Sequence, residues 1–170
     1  MTPLHYEAKY LGSAQRVFDV LTDEAFLNAY AEEVGAVAHQ VGVERGEDRV
    51  LTRVAMTVPT AGVPAVLKRL VTATIDLTEV RTWSARAVDD RWHGSLTVDA
   101  SARNRDAKVR ADLLLEPVVG DAAAARFGVD GTVSVNVPLL GDLAASLVKD
   151  LVGSVIRRQS VVMERWLQAS

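Results

Sequence analysis

From Ala36 to about Val137 the apolar residues of this chain recur at nearly every second position. Val37, His39, Val41 and Val43 share one phase, and after the turn Gly46-Glu47-Asp48 so do Val50, Thr52, Val54, Met56 and Val58. A period of two puts alternate side chains on opposite faces of an extended chain, so each run predicts a strand with one dry and one wet face. Ala73, Ile75, Leu77 and Trp83 resume the pattern, and Asp89-Asp90 predicts a hairpin. Leu96, Val98, Ala100 and Ala102 follow, then a turn at Asn104-Arg105-Asp106, then Val109, Ala111, Leu113 and Leu115. In the last run Ala123, Ala125, Phe127, Val129, Val133, Val135 and Val137 all fall at odd positions, with Gly128 and Gly131 where the strand could bend. One-sided alternation indicates an antiparallel sheet, and long strands with glycine kinks predict strong curvature. Only Pro59, Gly62 and Pro64 interrupt the pattern, and Pro64 is well placed to open a short helix through Leu70.

The dry face of so large a sheet has to be covered. Before it, Leu4, Tyr6, Ala8 and Tyr10 predict one more strand. Ser13 can cap a helix carrying Val17, Phe18 and Leu21, which breaks at Thr22-Asp23. A second short helix with Phe26, Leu27 and Tyr30 ends near Gly35. After the sheet, Gly141 breaks the chain, and Asp142 can cap a long helix. Its Ala144, Leu147, Val148, Leu151, Val152, Val155, Val162 and Trp166 span about half the circumference, wider than the roughly 100° a surface helix needs. Leu151 lies near the middle of that arc, with Lys149, Asp150, Arg157 and Glu164 on the other side. The expectation is an α+β fold: a curved antiparallel sheet of about seven strands wrapped around a long C-terminal helix, with two short helices after the first strand. Residues 1–170 are read as a single domain.

Composition removes several function classes. A net charge of −3 gives no reason to expect nucleic acid as a partner, since phosphate binding needs a concentrated basic surface. With no cysteine, disulfides, thiolate metal sites and thiol nucleophiles are excluded. The start MTPLHYEAKYLG lacks the basic and apolar blocks of a signal peptide, and no run approaches the ~18 apolar residues of a membrane span. A cytoplasmic location is the expectation. No cofactor is expected, and nothing points to a particular protein partner.

The stretch LHYEAKYLGSAQRVFDVLTDEAFLNAY joins a strand, a small-residue turn and the pattern V-F-x-x-L-T-D-x-x-x-L, Val17 to Leu27. It resembles the start of START-like (SRPBCC) helix-grip domains, a superfamily that includes birch-pollen-allergen-like proteins, polyketide cyclases and lipid-transfer domains. The element order matches over nearly the whole chain, and in detail it looks like an uncharacterised, mainly actinobacterial branch. The resemblance implies a cavity between sheet and terminal helix that holds a hydrophobic small molecule or lipid. It carries over no catalytic residue.

The residues expected to line such a cavity are Phe26, Tyr30, His39, Val54, Met56, Glu79, Arg81, Trp83, Leu96, Val98, Leu113, Phe127, Val135, Val148, Leu151 and Val155. His39 could anchor a ligand or move a proton, since its pKa crosses neutrality easily, but a structural role or a place at the sheet rim is the plainer reading. The three histidines share no metal-ligand spacing, so no metal site is expected. Glu79 and Arg81 fall in the inward phase of Ile75, Leu77 and Trp83, where an ion pair could orient a polar headgroup. Burying two charges is costly, so a bulge near Thr78 to Arg81 that turns both outward, or an exposed place at the rim, is the favoured expectation. Trp83, Trp92, Phe127 and Tyr30 could line a cavity or be ordinary core. Arg157-Arg158 could meet an acidic partner or headgroup, although a solvated pair is commoner. Hydrophobic-ligand binding is thus set beside a cyclase- or hydrolase-like enzyme using the same cavity, and a protein-interaction domain with a filled core.

Overall fold

Ser13 and Asp23 start the two short helices through their side chains. In the computed structural model, which describes residues 1–60, 65, 73–102, 105–139 and 141–169, β1 (Thr2–Tyr10) leads into α1 (Ala14–Leu21) and α2 (Glu24–Val34). Ser13 Oγ accepts from the Arg16 amide, and Asp23 accepts from the amides of Ala25 and Phe26. These contacts satisfy donors that have no partner inside the helix. Gly35 closes α2 in the left-handed conformation, at φ 92°, which glycine adopts without a Cβ clash.

Six strands follow: β2 (Ala38–Arg45), β3 (Arg49–Pro59), β4 (Thr74–Ser84), β5 (Trp92–Ala102), β6 (Arg105–Val118) and β7 (Asp121–Val135), then α3 (Gly141–Gln168). They form, with β1, one seven-stranded antiparallel sheet in the order β1-β7-β6-β5-β4-β3-β2. Asp89 and Asp90 make the β4–β5 hairpin with both φ values positive, the backbone of a tight two-residue turn. Gly131 sits where β7 presses on β6: a Cβ there would lie 2.0 Å from the Arg110 carbonyl oxygen and 2.5 Å from Ala111 Cα. Only a residue without a side chain permits that approach. Asp142 falls within the first turn of α3, not before it. The expected helix after Pro64 lies outside the described residues.

The α+β helix-grip arrangement is what the alternation and the terminal helix imply. The dry face reads across the sheet in registered rows. One runs Leu4, Gly131, Ala111, Leu96, Arg81, Thr52 and Val43; the next runs Thr2, Val133, Val109, Val98, Glu79, Val54 and Val41. Pairing of β4 with both neighbours is continuous through Thr78 to Arg81, so the expected bulge is absent and both charges point inward.

The face that α3 buries differs from the expected one. Gly153, Ile156, Gln159, Val162 and Met163 are buried, whereas Leu151 is 48% exposed. At about 100° per residue Leu151 lies roughly 140° from Ile156. The helix is turned toward β1 because Tyr6 and Tyr10 reach it there. The Tyr6 hydroxyl donates to the Lys149 carbonyl at 2.7 Å, and the Gln159 amide donates to the Tyr10 hydroxyl at 3.1 Å. A glycine and a glutamine thus occupy buried positions that apolar counting passes over. Leu151→Asp is accordingly expected to change stability by ~0.5 kcal/mol or less. Gly153→Ala puts a Cβ 2.4 Å from the Tyr6 hydroxyl oxygen, and is expected to cost ~1–3 kcal/mol as overpacking. Equal urea midpoints for the two variants would show the helix face to be misassigned.

Candidate functional site

One end of the interior is filled with aromatic rings. Phe18 stacks on Trp92 at 5.0 Å between centroids and meets Trp83 edge-on at 6.1 Å. Phe127 stands 6.3 Å from both Tyr10 and Trp83. Phe26 meets Trp166 of α3 edge-on at 5.8 Å. These rings close the sheet against α1, α2 and the C-terminal part of α3.

Toward the other end the cover from the described elements thins. Among the described elements α3 packs mainly on β1, β7 and α2, and α2 packs on β2 and β3. Leu77 and Val98, which stand on β4 and β5, are only half-buried, as are Val58 and Val135. On α3, Val148, Val152 and Val155 are half-buried too. From Ile156 at the centre of the buried face, Val148 and Val155 are offset by about 80–100° to the side away from Gly153 and Tyr6. Among the described residues the dry face over β4 and β5 is thus a half-buried apolar strip, or trough.

Where the trough meets the filled end stands a charged cluster. Glu79 and Arg81 are 6% and 4% exposed, with Arg81 Nε 2.7 Å from Glu79 Oε1. Tyr30 of α2 donates to Glu79 Oε2 at 2.9 Å. The Arg81 guanidinium lies between the rings of Tyr30 and Phe127, 5.9 Å and 5.8 Å from their centroids. Its Nη1 is buried with no hydrogen-bond partner, and so is Trp83 Nε1. Burial is the largest single influence on Arg81 and by itself would lower its pKa, but Glu79 together with Tyr30 and Tyr10 outweighs it and Arg81 stays cationic. Burial, then the nearby Glu79 charge, push the Tyr30 phenol well above its usual value, so it stays a donor. Burial likewise raises Tyr10. The cluster is therefore a neutral ion pair with a fixed phenol donor. Glu79 is engaged on both oxygens, which suits a held carboxylate better than a proton shuttle.

The expected site residues divide accordingly. Phe26, Tyr30, Val54, Met56, Glu79, Arg81, Trp83, Leu96, Leu113 and Phe127 are buried; His39, Val98, Val135, Val148 and Val155 are half-buried. Leu151 faces out and leaves the set. His39 contacts Asn28 Oδ1 through Nε2 at 3.1 Å, tying the edge strand β2 to α2. Val37, expected beside it, precedes the strand and is exposed. Gln159 and Ser160, both within hydrogen-bond reach of the Tyr10 hydroxyl, were missed. Their signals were helical spacing from Ile156 and Met163 and the need of a buried tyrosine hydroxyl for a polar partner. Elsewhere, an open groove of ≈ 580 Å³ runs between α1 and the end of α3, lined by Arg16, Asp19, Arg165 and Trp166. It contains none of the expected residues. Among the described residues no cluster of three or more His, Cys, Asp or Glu could hold a metal ion, and no helix is long and apolar enough to cross a membrane.

The sequence matches the family described as "Protein of unknown function (DUF2505)" over residues 5–167. The chain belongs to the DUF2505 family. No curated protein matches it. Solved structures similar to this DUF2505 chain include a protein from Thermus thermophilus, at 16% identity and TM-score 0.59, covering 98% of this chain and 97% of that one. A conserved protein from Geobacillus kaustophilus aligns at 12% identity and TM-score 0.60, covering 96% and 95%. A START superfamily protein from Mycobacterium smegmatis aligns at 12% identity and TM-score 0.55, covering 100% of both chains. At these identities the likeness establishes the fold, and the fold of the DUF2505 chain is START-like.

Proposed function

We propose that the protein binds a hydrophobic small molecule or lipid in the trough between its sheet and α3. The observation that carries this reading is the incomplete cover at Leu77, Val98, Val135, Val148 and Val155. A strip of half-buried aliphatic side chains forgoes part of the ~25 cal/mol per Å² that full burial would give. An apolar ligand laid along the strip recovers that free energy. Small-molecule sites are typically such apolar concavities with a few polar groups at fixed points, and here the polar groups are the Tyr30–Glu79–Arg81 cluster. The START-like fold supports the reading by analogy only.

A polarity-sensitive apolar dye titrated into the folded protein tests it. Saturable binding is expected. Val98→Trp, which fills the trough beside Glu79, is expected to abolish it at a stability cost below the ~1–3 kcal/mol of overpacking a closed core. An absence of saturable binding by the native protein, or unchanged binding by the variant, would overturn the proposal.

A further inference from the structure

The trough ends on a cluster whose charges already cancel while Arg81 Nη1 remains without an acceptor. From that combination we infer that the ligand is an uncharged amphipath, such as an ester, ketone or lactone, whose carbonyl oxygen accepts a hydrogen bond from Arg81 Nη1. The inference deepens the binding reading and rests on it.

Three features carry it. Arg81 is 4% exposed and its Nη1 has no acceptor in the protein. A buried guanidinium N–H without an acceptor forfeits a charge-assisted hydrogen bond, so a ligand oxygen placed there gains more than one in water. Second, the cation is already neutralised: Glu79 Oε1 lies 2.7 Å from Arg81 Nε, and Tyr30 donates to the other Glu79 oxygen. A ligand carboxylate would bring a second anion beside Glu79 with no further cation in the cluster, and burying an uncompensated charge is strongly unfavourable. Third, position fits. Val98 is the registered partner of Glu79, and Leu96 that of Arg81. The half-buried strip through Leu77 and Val98 therefore leads directly to the pair, and a ligand lying along it has its polar end at Arg81.

Three conjugated polyenes that fluoresce on leaving water test the inference: methyl cis-parinarate, cis-parinaric acid and 1,6-diphenylhexatriene. They present a neutral carbonyl, a carboxylate and no heteroatom. At pH 8 the ester is expected to bind about tenfold or more tighter than either of the others, a difference that a single charge-assisted hydrogen bond or one unpaired buried charge can supply. Arg81→Lys keeps a cation opposite Glu79 but removes Nη1, and the double variant Glu79→Gln/Arg81→Met removes both charges. Both are expected to lose the ester's advantage over the hydrocarbon. If the acid matches or exceeds the ester, or the hydrocarbon matches it, the carbonyl assignment fails while the trough reading stands; a water satisfying Nη1 would produce the second result. If none of the three binds, the trough reading fails and takes this inference with it. An ester preference that persists in both variants assigns the acceptor to another donor and overturns the role of Arg81.

Discussion

Ending the chain after Gly141 is expected to abolish cooperative folding. Removing α3 uncovers Leu4, Tyr10, Phe26 and Val133, all at 0% exposure in the intact protein. It also removes Gln159 from the Tyr10 hydroxyl and the Lys149 carbonyl from Tyr6. Whole domains are stable by only ~5–15 kcal/mol, and each large apolar side chain exposed forfeits about 1.5–3 kcal/mol. Four such losses, with the two hydrogen bonds between β1 and α3 broken, are enough to exhaust that margin. Size-exclusion chromatography and a circular-dichroism melt of the truncated chain check this. A monomer with a sharp, native-like transition would refute the helix-grip core.

Why the strands could be read from sequence and the helix face could not follows from the same physics. A strand has two faces, so alternation assigns every residue once the phase is known. The phase runs unbroken through β3, β4 and β5. A helix face is continuous in angle, and its centre is an average over whichever residues are counted. Counting apolar residues on α3 gave weight to Leu147 and Leu151 and none to Gly153, Gln159 or Ser160. Yet those three meet Tyr6 and Tyr10, because a close approach needs a missing side chain and a buried tyrosine hydroxyl needs a polar partner. The tyrosines on β1 were visible in the sequence. Their need for partners on α3 was the signal that would have turned the helix.

The charged pair shows the opposite error. Alternation placed Glu79 and Arg81 inward, and the cost of burying them argued for a bulge. That cost is large for each ion alone. It falls steeply when the two lie in one registered strand two residues apart, with a phenol from α2 and two ring faces completing the shell. The sequence contained each of these residues, but only the fold brings Tyr30 to Glu79 across a separation of 49 positions. Local pattern was the better guide here than a generic penalty applied without knowing the partners.

Removing one member of that pair is therefore expected to be far worse than removing both. Arg81→Met leaves Glu79 buried with a phenol donor and no cation, and is expected to cost about 3–5 kcal/mol in urea unfolding. The double variant Glu79→Gln/Arg81→Met keeps similar volumes, leaves Tyr30 an amide oxygen to donate to, and buries no charge. It also abolishes the unpartnered Nη1. Its stability is expected to equal the native protein's or exceed it by ~1–4 kcal/mol, as when other buried ion pairs are replaced by neutral groups. Such a gain would mean that the pair is kept at a cost to folding. A cost retained at the inner end of an apolar trough is accounted for by what the guanidinium can hold there. If Arg81→Met loses less than ~1 kcal/mol, water reaches Glu79 freely and the cluster is not the closed, low-dielectric site described. If the double variant is as unstable as the single one, the two side chains hold the sheet and α2 together, and their retention is explained by folding alone.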